Sequence, residues 1–203
     1  MVPVIRGLIG AGVRAPVSVD TRKGEVAEAA LAAGAVYVND VSAGTHDPGT
    51  LAAAARHGAG VVLMHMQGRP ETMQDDPAYA GDVVAEVRGY LAARVRAARD
   101  AGVAEHAVLV DPGIGFGKTL EHNLELLRRL EELVADGVPV LLGASRKSFL
   151  GRVTGRDVED RLAGSLACAA RAFEAGVEAI RVHDVAATAD VLGVLGAIRP
   201  NQR

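Results

Sequence analysis

Short apolar runs alternate along this chain with longer segments rich in alanine and leucine. Each short run is bounded by Gly, Pro or Asp, which is typical of strands that are buried on both faces of a sheet. The pattern predicts six strands, at residues 16–19, 36–39, 60–64, 107–110, 138–142 and 179–182.

The segments between these strands carry a helical period. Residues 119–134 place leucines on one stripe, with Glu and Arg opposite, which predicts an amphipathic helix over that range. Asp82 is suited to cap a helix whose apolar side consists of Val83, Val87, Leu91, Val95 and Ala98. Glycines stand where helices should end in a left-handed residue, at Gly34, Gly58, Gly102, Gly137 and Gly176.

Six βα units in a row, without a break in composition, predict a parallel sheet with right-handed crossovers in a single domain over 1–203. The architecture is then either an open doubly wound sheet or a (β/α)₈ barrel. The number of units favours the open sheet, because a barrel has eight units and typically about 250 residues.

Polar residues follow or end every predicted strand. They are Asp20, Asn39, Asp40, His65, Asp111, Ser145, Arg146, Lys147, His183 and Asp184. Functional groups of parallel α/β proteins gather at the carboxyl ends of strands. Asp40 and Asp184 are equally well explained as helix caps. Convergence from all six strands nevertheless favours the barrel, because the site of an open sheet uses only a few strands.

Three basic residues come from the last two strands. Arg181 and His183 are two positions apart and therefore point to the same side, and Arg181 lies in an apolar strand where a buried guanidinium needs an anion. Together with Lys147 they predict a positively charged corner. Barrels frequently bind phosphate after their last two strands, so we expect a phosphate or diphosphate group here, with an internal ion pair as the alternative.

A glycine-rich segment runs from Asp111 to Thr119. Pro112 occupies the first glycine position of a P-loop, and Lys118 replaces the third glycine of a dinucleotide fingerprint, so neither motif is present. The segment predicts a loop whose backbone approaches a ligand closely, with Asp111 at its inner edge and Phe116 available for stacking.

Composition and charge exclude several classes of function. At 203 residues with a net charge of −3, the chain offers no overall field for nucleic acid or an anionic membrane. It has no apolar run of about 20 residues and no signal-peptide pattern. A single cysteine, Cys168, fits a reducing compartment, which predicts a cytoplasmic protein. No cluster of His and Asp suggests a metal site.

The motifs, taken together, resemble the dihydropteroate synthase family of folate biosynthesis. The matching segments are 18–21 (SVDT), 38–40 (VND), 63–68 (LMHMQG), 111–118 (DPGIGFGK), 145–148 (SRKS), 164–168 (GSLAC) and 181–184 (RVHD). The resemblance implies a (β/α)₈ TIM barrel, of which this chain is similar to strands three to eight and is therefore incomplete.

The resemblance also implies a transferase that condenses 6-hydroxymethyl-7,8-dihydropterin diphosphate with 4-aminobenzoate to 7,8-dihydropteroate and diphosphate. The family positions matching Asp20, Asn39, Asp111 and Lys147 bind the pterin. Those matching Arg181 and His183 meet the diphosphate, Phe116 lies near the aminobenzoate pocket, and Lys147, Arg181 and His183 form the catalytic group. Mg²⁺, a homodimer and inhibition by sulfonamides are implied as well.

One departure from the family concerns the start of the chain. The family's first two βα units, with an Mg²⁺-binding Asn and a loop that closes over the substrates, have no counterpart after Met1. We therefore expect an N-terminally truncated domain that contributes no metal ligand and has low activity alone. The alternatives are a non-catalytic fragment and a pterin-binding methyltransferase-type domain.

Overall fold

The computed structural model describes residues 1–68 and 72–199. Its helices and strands alternate in the order α1 (Val2–Gly10), β1 (Ser18–Asp20), α2 (Gly24–Ala32), β2 (Tyr37–Asp40), α3 (Gly49–His57), β3 (Gly60–Met64), α4 (Val83–Asp100), β4 (Val108–Asp111), α5 (Leu120–Arg128), α6 (Leu130–Val134), β5 (Leu141–Leu142), α7 (Ser148–Thr154), α8 (Leu162–Ala175), β6 (Ala179–Ile180) and α9 (Val185–Ile198). Every predicted strand overlaps an observed one.

The chain divides into two compact units. The first comprises Met1–Met66 and Val87–Asp111, and the second comprises Gln67–Glu86 and the chain from Pro112 onward. A single domain over 1–203 stays a prediction.

The first unit contains a four-stranded parallel sheet in the order β1-β2-β3-β4. All five residues of β3 are buried, as its unbroken apolar sequence predicts. Helices α2 and α3 pack closely together, because alanines fill the contact and are fully buried: Ala27, Ala30, Ala53 and Ala54.

The second unit contains a two-stranded parallel sheet of β5 and β6, in which Leu141 pairs with Ala179 and Leu142 with Ile180. These strands are shorter than predicted. The N–H of Val140 is bound by the Glu178 carboxylate at 2.6 Å, while its carbonyl accepts the Ala179 N–H at 3.1 Å. Four leucines of this unit are fully or almost fully buried: Leu126, Leu130, Leu133 and Leu142.

The predicted helix over 119–134 is wrong in one respect, because it is divided into α5 and α6 at Arg129. Thr119 caps α5 through a reciprocal pair of bonds with His122, as a capping box. Arg129 leaves helical geometry at φ −111°, where its guanidinium binds Asp82 at 2.9 Å and Glu132 at 2.6 Å. A third ion pair, with Glu125 at 3.4 Å, also involves this residue, so three carboxylates surround Arg129 at the point where the helix is interrupted.

The predicted helix ends are confirmed. The Asp82 carboxylate accepts the Val84 N–H at 2.9 Å at the start of α4. The five glycines predicted at helix ends all have positive φ, between 60° and 106°. Among the described residues, no helix combines the length and apolar character needed to cross a membrane.

Candidate functional site

Three of the predicted site residues lie on one face of the four-stranded sheet. Asp20 pairs in register with Asn39, and Asn39 with Val62, which pairs in turn with Leu109. Side chains of paired residues share a face, as do those two positions apart along a strand, so Asp111 joins Asp20 and Asn39 on it. The Asn39 amide donates a 3.0 Å hydrogen bond to the Asp20 carboxylate, which fixes both side chains.

The exposure of these three side chains differs across the sheet. Asp20 is exposed, Asn39 is half-buried and Asp111 is only 5% exposed. A carboxylate and an amide side by side, with a buried carboxylate two strands further along, present acceptors and one donor group on a single surface. This arrangement suits a flat, nitrogen-rich ring with several N–H donors.

Asp40 lies on the opposite face and organises a loop. It is 1% exposed, and its carboxylate accepts four hydrogen bonds, from the N–H and hydroxyl of Ser42, the N–H of Gly44 and the hydroxyl of Thr50, at 2.6–2.9 Å. These bonds occupy the acceptor positions of the carboxylate. Asp40 is therefore better explained as a structural residue of this loop than as a residue of the functional site.

His65 follows β3 and is buried against an aromatic ring of the same unit. Its imidazole meets Tyr90 edge-on, with ring centroids 4.9 Å apart. Burial raises the pKa of the Tyr90 hydroxyl, so the phenol stays neutral at physiological pH.

The loops after β5 and β6, in the second unit, border an open cavity of about 490 Å³. It is lined by Gly143, Ser145, Arg146, Lys147, Val158, Arg181, Val182 and His183. The structure thus brings Lys147, Arg181 and His183 together around one cavity. Such a concentration of basic side chains is suited to an anion.

Arg181 differs from its sequence-based interpretation, because it is exposed rather than buried in a strand. Strand β6 ends at Ile180, which is itself half-buried, and Arg181 lies in the loop beyond it. The predicted burial of the Arg181 guanidinium, which would have required an anion, is therefore wrong. The position of Arg181 in the cavity wall supports anion binding instead.

A contact between Ser145 and His183 was missed at the level of sequence. The Ser145 hydroxyl oxygen lies 3.0 Å from His183 Nδ1 and accepts the His183 backbone N–H at 3.2 Å. When this hydroxyl donates to Nδ1, the neutral ring carries its proton on Nε2 and can donate it to a ligand. The two residues are 38 positions apart, and only the register of β5 against β6 could have paired them.

The glycine-rich loop has the conformation that its sequence predicts. Gly113, Gly115 and Gly117 all have positive φ, at 67°, 81° and 62°. A Cβ at Gly117 would lie 2.4 Å from the backbone oxygen of Gln67, so the glycine is needed for close approach of the chain to itself.

Phe116, in this loop, contacts the cationic group of Lys147. The Lys147 ammonium lies 4.7 Å from the centre of the half-buried Phe116 ring and also donates a hydrogen bond to the carbonyl of Ile114. Phe116 and the anion cavity therefore share Lys147.

Metal-ligating side chains do not cluster among the described residues. Over residues 1–68 and 72–199, no group of three or more His, Cys, Asp or Glu residues could hold a metal ion. Mg²⁺ at phosphate-binding sites usually takes only one or two carboxylates, together with substrate phosphates and waters, and needs no such cluster.

Comparison with known sequences relates the chain to one family. A family model described as "Pterin binding enzyme" matches residues 1–183. The dihydropteroate synthase of Synechocystis sp. is 46% identical over 184 residues, which cover 90% of this chain and 63% of that protein. The chain thus spans somewhat less than two thirds of the length of this relative.

Solved structures give the same relationship. A dihydropteroate synthase from Stenotrophomonas maltophilia superimposes with a TM-score of 0.93 at 50% identity, over 99% of this chain and 76% of that one. The enzyme from Thermus thermophilus, in complex with 6HMPPP, has a TM-score of 0.90 at 50% identity, over 98% of this chain and 77% of that one. The predicted fold, an α/β chain of the TIM-barrel family with parallel strands, is confirmed.

Proposed function

Because the chain belongs to the pterin binding enzyme family, we propose that it carries the substrate sites of a dihydropteroate synthase. The amine of 4-aminobenzoate attacks the methylene carbon of 6-hydroxymethyl-7,8-dihydropterin diphosphate. The new C–N bond forms as the C–O bond to the diphosphate breaks, the amine loses a proton, and 7,8-dihydropteroate and diphosphate are released.

The pterin is held on the face of the four-stranded sheet that carries Asp20, Asn39 and Asp111. Carboxylates accept hydrogen bonds from ring N–H and amino groups, and charge-assisted bonds of this kind are the stronger ones. The bond between Asn39 and Asp20 holds this pair in place before a ligand arrives. Binding then requires little reorganisation of these side chains.

The diphosphate is held by Lys147, Arg181 and His183, and the cavity that they line is the observation that carries the proposal. Negative charge builds up on the leaving diphosphate as the C–O bond breaks, so cationic groups fixed around it stabilise the transition state more than the ground state. Lys147 also reaches the ring of Phe116, which places an aromatic surface for 4-aminobenzoate beside the same cation.

The remaining features of the proposal rest on the family relationship and on composition. We infer a homodimer, sensitivity to sulfonamides, and a role for Mg²⁺, which would neutralise diphosphate oxygens when bound. The single cysteine, buried and unpaired, supports a reducing location, for which we propose the cytoplasm.

The experiment is calorimetry with the pterin diphosphate and with the corresponding pterin alcohol, followed by product analysis with 4-aminobenzoate. Arg181→Met should weaken the diphosphate ligand by about 1.5–3 kcal/mol, the contribution of a hydrogen bond to a charged group, and leave the alcohol within about twofold. Asp111→Asn should weaken both ligands by a similar amount. Lys147→Met should also weaken the binding of both ligands, because the family resemblance implies that Lys147 binds the pterin as well as the diphosphate.

The matched control is Arg128→Met, which removes an exposed arginine of α5 that lies outside the cavity. It should leave both affinities unchanged, and the Synechocystis enzyme serves as the positive control for product formation. Equal affinity of the wild-type chain for the alcohol and the diphosphate would favour a methyltransferase-type domain. That result would refute the proposed substrate sites, whereas binding of the pterin diphosphate without any dihydropteroate would favour a non-catalytic module that keeps them.

A further inference from the structure

Arg146 adopts an unusual backbone conformation between two residues of the anion cavity. Its φ is +56°, a left-handed value that a residue with a Cβ adopts only at a cost in free energy. Such conformations persist where the surrounding structure enforces them, and they cluster at functional sites. Ser145 and Lys147, its two neighbours, both line the cavity.

Contacts on every side enforce this conformation. The Arg146 N–H donates to the buried Ser165 hydroxyl at 2.9 Å, and the Arg146 carbonyl accepts from the Arg161 guanidinium at 3.1 Å. Its side chain binds Asp184 through two parallel bonds, of 3.0 Å from Nε and 2.7 Å from Nη2. A bidentate pair of this type fixes orientation as well as distance.

The pair with Asp184 extends the register of the sheet into the loops. Strands β5 and β6 pair with an offset of 38 residues, as in Leu141 opposite Ala179. The side-chain contact of Ser145 with His183 has the same offset, and so has that of Arg146 with Asp184. Two successive side-chain pairs thus continue the alignment after the backbone ladder has ended.

We propose that Arg146 and Asp184 are a positioning pair, which holds Lys147 and His183 in the geometry that binds the diphosphate. This inference rests on the proposed function and assigns orientation, not ligand binding, to two residues, of which Arg146 also lines the cavity. All three side-chain nitrogens of Arg146 already bind carboxylates, since Nη1 lies 3.3 Å from Glu159. The same contacts lower the pKa of Asp184, so the pair stays charged at neutral pH.

The test compares Arg146→Gly, Asp184→Asn and the double variant with the wild-type chain. Calorimetry measures the affinity for the pterin diphosphate and for the pterin alcohol, and the thermal midpoint is recorded in parallel. Arg146→Gly is informative because glycine adopts a positive φ freely, so the relief of strain offsets the loss of a partly exposed ion pair. Its thermal midpoint should stay close to that of the wild type.

Both single variants should weaken the pterin diphosphate by about tenfold to a hundredfold, as expected when binding groups shift by about 1 Å. The affinity for the pterin alcohol should fall much less, so the preference for the diphosphate over the alcohol decreases. The double variant should be no weaker than the weaker single variant, because both changes break the same pair. Arg171→Met is the matched control, since it removes an arginine of similar exposure that pairs with Glu131 elsewhere in this unit.

Three results would overturn the positioning pair. The first is an unchanged preference for the diphosphate over the alcohol in both single variants. The second is an equal loss of affinity for both ligands together with a lowered thermal midpoint. A loss in Arg146→Gly without one in Asp184→Asn would make Arg146 a direct ligand. Arg181→Met distinguishes failure of the positioning pair from failure of the proposed function. It should lower the preference for the diphosphate over the alcohol even if Arg146 and Asp184 have no positioning role. A wild-type chain without any preference would refute both.

Discussion

Replacing Asp40 with Asn tests how the loop after β2 is stabilised. The carboxylate accepts two bonds from Ser42, one from the Gly44 N–H and one from the Thr50 hydroxyl, all in a site that is 1% exposed. Asn keeps one acceptor oxygen, which can still serve Ser42. Its amino group faces the other two donors, and the Thr50 hydroxyl can rotate to accept from it.

The Gly44 N–H cannot rotate and is left facing another donor. An unsatisfied buried donor costs about 1–3 kcal/mol, and the remaining bonds weaken because the acceptor is no longer charged. We therefore expect Asp40→Asn to lower the free energy of unfolding by about 3 kcal/mol. With a urea dependence of about 2 kcal/mol per molar, the unfolding midpoint should fall by about 1.5 M.

Equilibrium unfolding in urea measures this loss, with two variants at Thr50 for calibration. Thr50→Ser keeps the hydroxyl and should change little, whereas Thr50→Val removes one bond to Asp40 and should cost about 1 kcal/mol. Pterin affinity in Asp40→Asn should stay within about twofold of the wild type, because Asp40 and Asn39 point to opposite faces. A change below about 0.5 kcal/mol in Asp40→Asn would refute the reasoning.

Three further outcomes are expected. Burial raises the pKa of the Cys168 thiol to about 11, so iodoacetamide at about pH 8 should label it at least about a hundredfold more slowly than a free cysteine. Mass spectrometry measures the labelling rate, and a rate close to that of a free cysteine would contradict this expectation. The lowered pKa of Asp184 means that its ion pair stabilises the fold above the ordinary carboxyl pKa and is lost as pH falls through the lowered value. The difference in thermal midpoint between the wild type and Asp184→Asn should therefore be present at about pH 7 and vanish below that lowered pKa. Gly117→Ala should lower the urea midpoint more than Gly137→Ala, because both strain a positive φ but only the first brings a Cβ against the Gln67 backbone; equal shifts would contradict this contact.

The strands could be predicted from the sequence wherever apolar residues decide the structure. Strand β3 has the bounds that its apolar run predicts, Gly60–Met64. Strand β5 begins later than predicted, at Leu141, and the Glu178 carboxylate binds the N–H of Val140 just before it. The break at Arg129 likewise coincides with ion pairs, one of them with Asp82, 47 positions away. A hydrophobic period carries no information about such distant polar partners.

In the candidate site, too, local sequence pattern predicts some features, whereas others depend on residues that are distant in sequence. That Asp20, Asn39 and Asp111 share a face follows from strand alternation and parallel order alone. The partners of Ser145 and Arg146 could not be predicted, because they depend on the register between β5 and β6. The exposure of Arg181 also required the structure, since it depends on where β6 ends. Local pattern predicts which side a residue faces, and register decides which residue it meets.

The shared offset of 38 residues constrains how the two loops can vary in length. One residue inserted into the loop after β5 would separate Ser145 from His183 and Arg146 from Asp184 at once, because both pairs follow the alignment of the strands. Insertions of equal length in both loops would keep both pairs. Among natural variants of this chain, the two loops should therefore gain or lose residues together, although 38 positions of sequence separate them.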